Sequence, residues 1–258
     1  MNAVLRAVPP DEGTLKRFCT AAAEDLALLA LLHDRELTPE LLLSLWEHCY
    51  EDFLGIALRT QRGRQAEELL REGLTEIPAS HSQEAMDHLA ADYADIYLNH
   101  GIGASPCESV WLDDDHLTMQ EPMFRVRAWY RSHGLAVEDW RRRTDDHLVH
   151  QLRFLAHLLT EEGPGEAALS DAARFLDEHL LHWIDAFAAR VAARCATRFY
   201  AGLAMLTAAW IDELRDLLAE ILEQPRPTAE EMAERLNAAP SAPVEVAGPY
   251  VPGAAPGW

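Results

Sequence analysis

The chain has 258 residues, near the upper limit for one hydrophobic core, and 49% of them are apolar, enough to fill one. A formal charge of −21 excludes nucleic-acid binding over a wide surface, because phosphates would be repelled, and suits a basic partner. No apolar run approaches the ~18 residues of a membrane span, and residues 1–10 lack the apolar stretch of a secretory signal, so a cytoplasmic protein is expected.

Helical periodicity dominates from the start. Phe18, Ala22, Leu26 and Leu29 share one face of a first helix. Thr38, Pro39 and Glu40 open a second, with an N-cap hydroxyl, proline at the first helical position and an acid in the first turn. A short helix over 65–70 is expected to stop near Gly73, and Ile77-Pro78 marks a turn. Ser80 or Ser82 caps the helix that carries Tyr93 and Tyr97.

The stretch 99–118 interrupts the pattern. Gly101, Gly103 and Ser105-Pro106 forbid a continuous helix, and loops this long in helical domains are often functional. Glu121-Pro122 then opens an Arg/Trp helix that ends at Gly134. Thr144 is expected to cap the next helix, with Leu148, Leu152, Leu155 and Leu159 on its apolar face and Gly163-Pro164-Gly165 as its end. Two longer helices follow, one striped from Leu169 through Leu176, Leu180, Trp183 and Phe187 to Val191, the other from Leu203 through Trp210 to Ile221. Thr228 and Glu231 form a capping box for a last short helix, and 241–258 reads as a Pro/Gly-rich extended tail. No alternating strand pattern or internal repeat is seen. The fold class expected is all-α, one multi-helix domain over 1–240.

Chemistry concentrates between 93 and 159. Asp146-His147 is expected at a helix N-terminus, where free amides and the dipole stabilise the carboxylate and the carboxylate orients the imidazole. His147, His150 and His157 fall on roughly one helix face and, with Asp146, could hold a metal; His179 and His182 form another pair. Neither group has the spacing of a known metal motif, and the four cysteines Cys19, Cys49, Cys107 and Cys195 contain no CxxC. Tyr93, Tyr97, Trp111 and Trp129 bracket the long loop and could wall a peptide groove or pack as ordinary core. Arg125, Arg127 and Arg131, then Arg141, Arg142 and Arg143, gather positive charge in an acidic chain. No P-loop, GxGxxG, GxSxG or Cys/His nucleophile signature is present.

Three blocks together resemble the TorD/DmsD/NarJ family of redox-enzyme maturation chaperones. The first is Tyr93, Ile96 and Tyr97 followed by Pro106, Ser109, Val110, Trp111 and Leu112; the second is Arg127, Trp129 and Tyr130 ending in Gly134-Leu135; the third is Asp146-His147-Leu148 with its leucine-rich helix. Their order and spacing are similar to the family's over residues 10–225. Arg143-Thr144 stands where the family has Glu-Pro, and Cys107 where its loop has tryptophan.

The resemblance implies an all-α, non-enzymatic chaperone of a DMSO-reductase-type molybdoenzyme. It implies binding of the apo catalytic subunit, or of its twin-arginine leader, until the molybdenum cofactor is inserted. It carries over Tyr93, Tyr97, Pro106, Ser109, Trp111, Arg127, Trp129, Asp146 and His147 as client-binding residues, with no catalytic residue, metal or cofactor of the chaperone's own. Either a monomer or a domain-swapped dimer is compatible with loops of this length. A metal-dependent helical hydrolase using Asp146, His147, His150 and His157 is the alternative, and a helical adaptor using its acidic faces is a third reading.

Overall fold

The computed structural model describes residues 11–48, 53–77, 82–160 and 165–238. Cys49, Pro78, Ser80, Gly163, Pro164 and the tail 241–258 therefore lie outside the described residues. Among the described residues eleven α-helices follow one another: α1 (Glu12–Asp34), α2 (Pro39–His48), α3 (Gln61–Glu76), α4 (Gln83–Tyr93), α5 (Ser109–Leu112), α6 (Glu121–Ser132), α7 (Leu148–Thr160), α8 (Glu166–Glu178), α9 (Ile184–Arg194), α10 (Arg198–Leu222) and α11 (Ala229–Ala238). A π-helical turn, Ala94–Leu98, extends α4, and a 3-10 turn, Leu180–His182, separates α8 from α9. Among the described residues there is no strand, only the isolated antiparallel bridge between Cys107 and His147. The all-α class stands.

The local signals act where the side chains put them. Thr38 Oγ1 accepts from the Leu41 amide at 3.2 Å, Ser82 Oγ from Ala85 at 3.3 Å, and Thr228 and Glu231 make the reciprocal capping box at 3.2 and 2.7 Å. Helix α10 is the hub, packed against α3, α9 and α8, while α1 packs along α7. Their buried faces form one contiguous apolar cluster that includes Leu26, Leu152, Phe175, Phe187 and Trp210.

Three expectations are corrected. Gly73 does not end a helix; α3 runs three residues past it. A Cβ at Gly73 would stand 2.5 Å from the Phe199 amide nitrogen, and one at Gly202 2.4 Å from that of Leu70, so both glycines let α3 and α10 touch backbone to backbone. The stripe from Leu169 to Val191 is not one helix. It breaks at His179 (φ −128°, ψ −86°), whose Nδ1 lies 2.9 Å from the buried Glu108 carboxylate. Thr144 does not cap α7, which begins only at Leu148; residues 144–147 form a turn closed by the His147 amide on the Thr144 carbonyl at 3.1 Å.

Buried carboxylates join these helices across long sequence distances. Asp92 of α4 accepts from the amides of Ala196 and Thr197 at 2.9 and 2.7 Å, capping α10 from outside. Asp25 of α1 likewise holds the amides of Gly55 and Ile56 and the Trp210 indole at 2.6, 3.0 and 3.2 Å. Asp177 and Arg215 form a buried bidentate pair, both bonds 2.8 Å.

Candidate functional site

The long loop and the Asp-His turn meet. The Glu108 amide donates to the Asp146 carbonyl at 3.2 Å, and the Leu148 amide to the Pro106 carbonyl at 2.8 Å, on either side of the Cys107–His147 bridge. Asp146 is fully buried, and its Oδ2 accepts from the Ser109 amide at 2.8 Å. The hydrogen bond to its carboxylate thus comes from the loop across the bridge, where the helix-dipole expectation put the first turn of α7. Behind it, Gln151 Nε2 donates to both Glu108 Oε2 and the Asp146 carbonyl, at 2.9 and 3.0 Å, and Glu108 continues to His179. The amides of Glu108, Ser109, His147 and Leu148 thus all end on a carbonyl or carboxylate of the loop or the turn.

In front of this brace lies a cleft of about 1060 Å³. Its inner wall is Tyr93, Tyr97, Cys107, His147 and His150; Leu98, His100, Met119 and residues 136–139 and 141–144 complete the lining. Asp34, Arg35 and Glu36, at the end of α1, complete the mouth. Asp34 is the tie point: Arg143 bonds its carboxylate, Arg153 reaches its Oδ2 at 2.8 Å, and the Tyr93 hydroxyl donates to its carbonyl at 2.8 Å. Burial pushes the Asp34 carboxyl up, but the two guanidiniums outweigh that and hold it below the ordinary carboxylate range.

The inner wall is neutral at neutral pH. Burial, helped by Arg143, drives the His147 imidazole well below its ordinary value, and its Nδ1 accepts from the Val149 amide at 3.2 Å, which places the ring proton on Nε2. Burial lowers His150 to about 4 and leaves its Nε2 without a hydrogen-bond partner. Burial, with Asp146 nearby, pushes the Cys107 thiol up to about 12, so it stays protonated; the Thr144 hydroxyl donates to its sulfur at 3.4 Å. Burial also raises the Tyr97 phenol well above its usual range; its oxygen sits 2.5 Å from His33 Nδ1.

Of the nine residues singled out in the sequence, Tyr93, Tyr97 and His147 line the cleft, and Pro106, Ser109 and Asp146 brace it from behind. The other three stand elsewhere. Trp111 turns its indole nitrogen to the Ser105 carbonyl at 2.8 Å and lies under Arg190, fastening the loop to α9. Arg127 pairs with Asp145 at 2.9 Å and covers Trp140. Trp129 bonds Glu178 at 3.1 Å and packs edge-on against Phe175. The two tryptophans hold the frame because an aromatic body with a polar tip satisfies a core as readily as a groove, and Arg127 does so through its ion pair.

Sequence reasoning passed over Asp34, Glu36, Leu98, His100 and Met119. Leu98 follows Tyr97 directly and is 66% exposed, the only signal among them that the pattern of apolar residues could have given. Among the described residues, no three His, Cys, Asp or Glu side chains are placed to hold a metal ion. His147, His150 and His157 do not form such a group: His157 lines a smaller recess that His150 shares and His147 does not. Nor is any described helix long and apolar enough to cross a membrane.

The family model described as "Nitrate reductase delta subunit" matches residues 57–189. Two relatives named "Chaperone protein TorD" come from Vibrio cholerae serotype O1. One, from a classical Ogawa strain, is 34% identical over 149 residues, covering 55% of this chain and 67% of the relative. The other, from an El Tor Inaba strain, is 32% identical over 177 residues, covering 66% and 79%. A third of the same name, from a Psychrobacter species, is 30% identical over 169 residues, covering 63% and 70%.

Proposed function

Because the chain belongs to the nitrate reductase delta subunit family, with relatives that are named chaperones and not enzymes, we propose that it is a cytoplasmic maturation chaperone for a DMSO-reductase-type molybdoenzyme. Its client is the apo catalytic subunit, held through the twin-arginine leader in the cleft beside His147. One observation carries the reading. In a member of this family, the proline loop and the Asp146-His147 turn lock together at the back of a cleft of about 1060 Å³. That volume is at the upper edge of the ~300–1,000 Å³ usual for small molecules and suits a length of extended polypeptide.

The lining matches the two halves of such a leader. Glu36, Glu138 and Asp139 at the mouth offer carboxylates to a basic end, while Leu98 and Met119 offer apolar surface to an uncharged middle. Arg141 and Arg142 share that rim, so the −21 charge of the whole chain is not concentrated at the cleft; it acts at longer range, on the rate of encounter. No step of covalent chemistry is needed. Neutral His147 donates from Nε2, a group suited to a peptide carbonyl.

Calorimetry of the purified chain with a synthetic twin-arginine leader, and co-purification with the apo-enzyme from the native host, test the reading. Binding is expected, weakening with added salt because part of it comes from exposed charges. Failure to bind every leader and every apo molybdoenzyme subunit offered would refute it.

A further inference from the structure

Beside the cleft lies a second recess of about 280 Å³, walled by Tyr130, Leu135, Val137, Phe154 and His157. Ala136, Val137 and His150 line both spaces, so the segment after Gly134 and the start of α7 form a shared wall. The recess belongs to neither the polar brace nor the charged mouth. Its one guanidinium, Arg153, is held on Asp34 at 2.8 Å, and His150 is uncharged at neutral pH. What remains, around the His157 imidazole, is aromatic and aliphatic surface.

Size narrows the occupant further. The volume falls just below the ~300 Å³ at which small-molecule sites begin and far above the ~30 Å³ that one water takes. It is the size of a single large side chain and its surroundings. A side chain reaches it only from a polypeptide already lying along the shared wall. Resting on the function proposed above, we propose that this recess takes one leucine- or phenylalanine-sized side chain of the leader bound in the cleft, and thereby sets the register of that leader. The mouth reads charge and tolerates many sequences; the recess demands one large apolar residue at a fixed distance from the basic end.

The test is a coupling experiment on the full chain. A synthetic twin-arginine leader that the wild type binds is prepared with each apolar residue replaced singly by alanine. Each peptide is titrated against wild type and against Val137→Trp, which fills the recess from the segment after Gly134. His157→Trp, which fills it from α7, is the second variant, and thermal melting confirms that each is folded. One alanine peptide is expected to lose about tenfold or more with wild type and little further with either filled variant, the cost of one buried apolar side chain. Equal losses in wild type and filled variants at every position overturn the inference while leaving the chaperone reading intact. So does a filled variant that changes oligomeric state and not leader affinity, since the recess would then belong to a second copy. A wild type that binds no leader removes both.

Discussion

The Ser109 amide donates to Asp146 Oδ2 at 2.8 Å across 37 residues of sequence, and Asp146 has no exposed surface. This bond makes the back of the cleft one piece: the short helix α5 on one side and the start of α7 on the other. Asp146→Ala leaves the amide buried and unpaired, and a loss of about 1–3 kcal/mol is expected in urea unfolding. Asp146→Asn keeps an acceptor oxygen and is expected to lose about half as much or less. Equal stability of wild type and Asp146→Ala would show that the bond contributes nothing.

The contact between α3 and α10 gives a sharper prediction. Gly73→Ala places a methyl 2.5 Å from the Phe199 backbone, and Gly202→Ala places one 2.4 Å from that of Leu70. Backbone cannot swing aside as a side chain can, so each change is expected to cost about 3 kcal/mol or more in thermal or urea unfolding. Gly165→Ala, whose Cβ would meet nothing within 4 Å, is the control and should cost no more than the ~1 kcal/mol of an alanine at the N-cap of α8.

Stability should fall on mild acidification. Burial depresses His33 to about 3 and His150 to about 4, both from 6.5, and drives His147 well below its ordinary value. The unfolded chain then binds more protons than the folded one below pH 6.5, so the stabilisation present above that pH is lost as pH falls towards the folded values. The slope is about 1.4 kcal/mol per pH unit for each such histidine. Urea midpoints at pH 7 and pH 5 measure it, and His33→Gln should flatten the dependence. A midpoint unchanged between the two would remove the claim that these rings are buried neutral.

Met119 lines the cleft in the left-handed region, with φ +61°, and His100 and His116 of the same loop share that conformation at +55° and +54°. A side chain there costs about 1–2 kcal/mol that glycine avoids. Met119→Gly is expected to raise stability by about 0.5–1 kcal/mol while weakening leader binding, a combination that a purely structural residue would not give. Melting temperature and leader affinity, measured on one preparation, decide it.

Trp111 is expected to act differently from the cleft residues. Its indole holds the Ser105 carbonyl at 2.8 Å outside the cleft, so Trp111→Ala should lower stability, through the lost packing and bond, by about 2 kcal/mol or more. Leu98→Ser, on an exposed residue of the lining, should leave stability within about 0.5 kcal/mol and lower leader affinity. The reverse ranking would move the binding surface to the α9 side of the loop.

Much of this molecule is written locally. Helix spacing, the caps at Thr38, Ser82 and Thr228, and the proline that opens α6 are decided within about four residues, because hydrogen bonds and side-chain neighbours in a helix reach no further. The blocks around the proline loop and Asp146-His147 were also legible, but the sequence put the donors for Asp146 on its own helix, whereas the donor is the Ser109 amide of the loop. Tertiary packing alone decided the rest. Gly73 looked like a helix stop until a neighbouring helix gave it a reason to have no side chain. The stripe from Leu169 to Val191 looked unbroken until Glu108 drew His179 aside. Tyr97 went to the cleft and Trp129 to the frame although both have the same amphipathic character, and Asp34 joined the mouth from more than a hundred residues away. Periodicity records which side of a helix is buried; which partner buries it depends on how helices far apart in sequence cross, and no local energy encodes that.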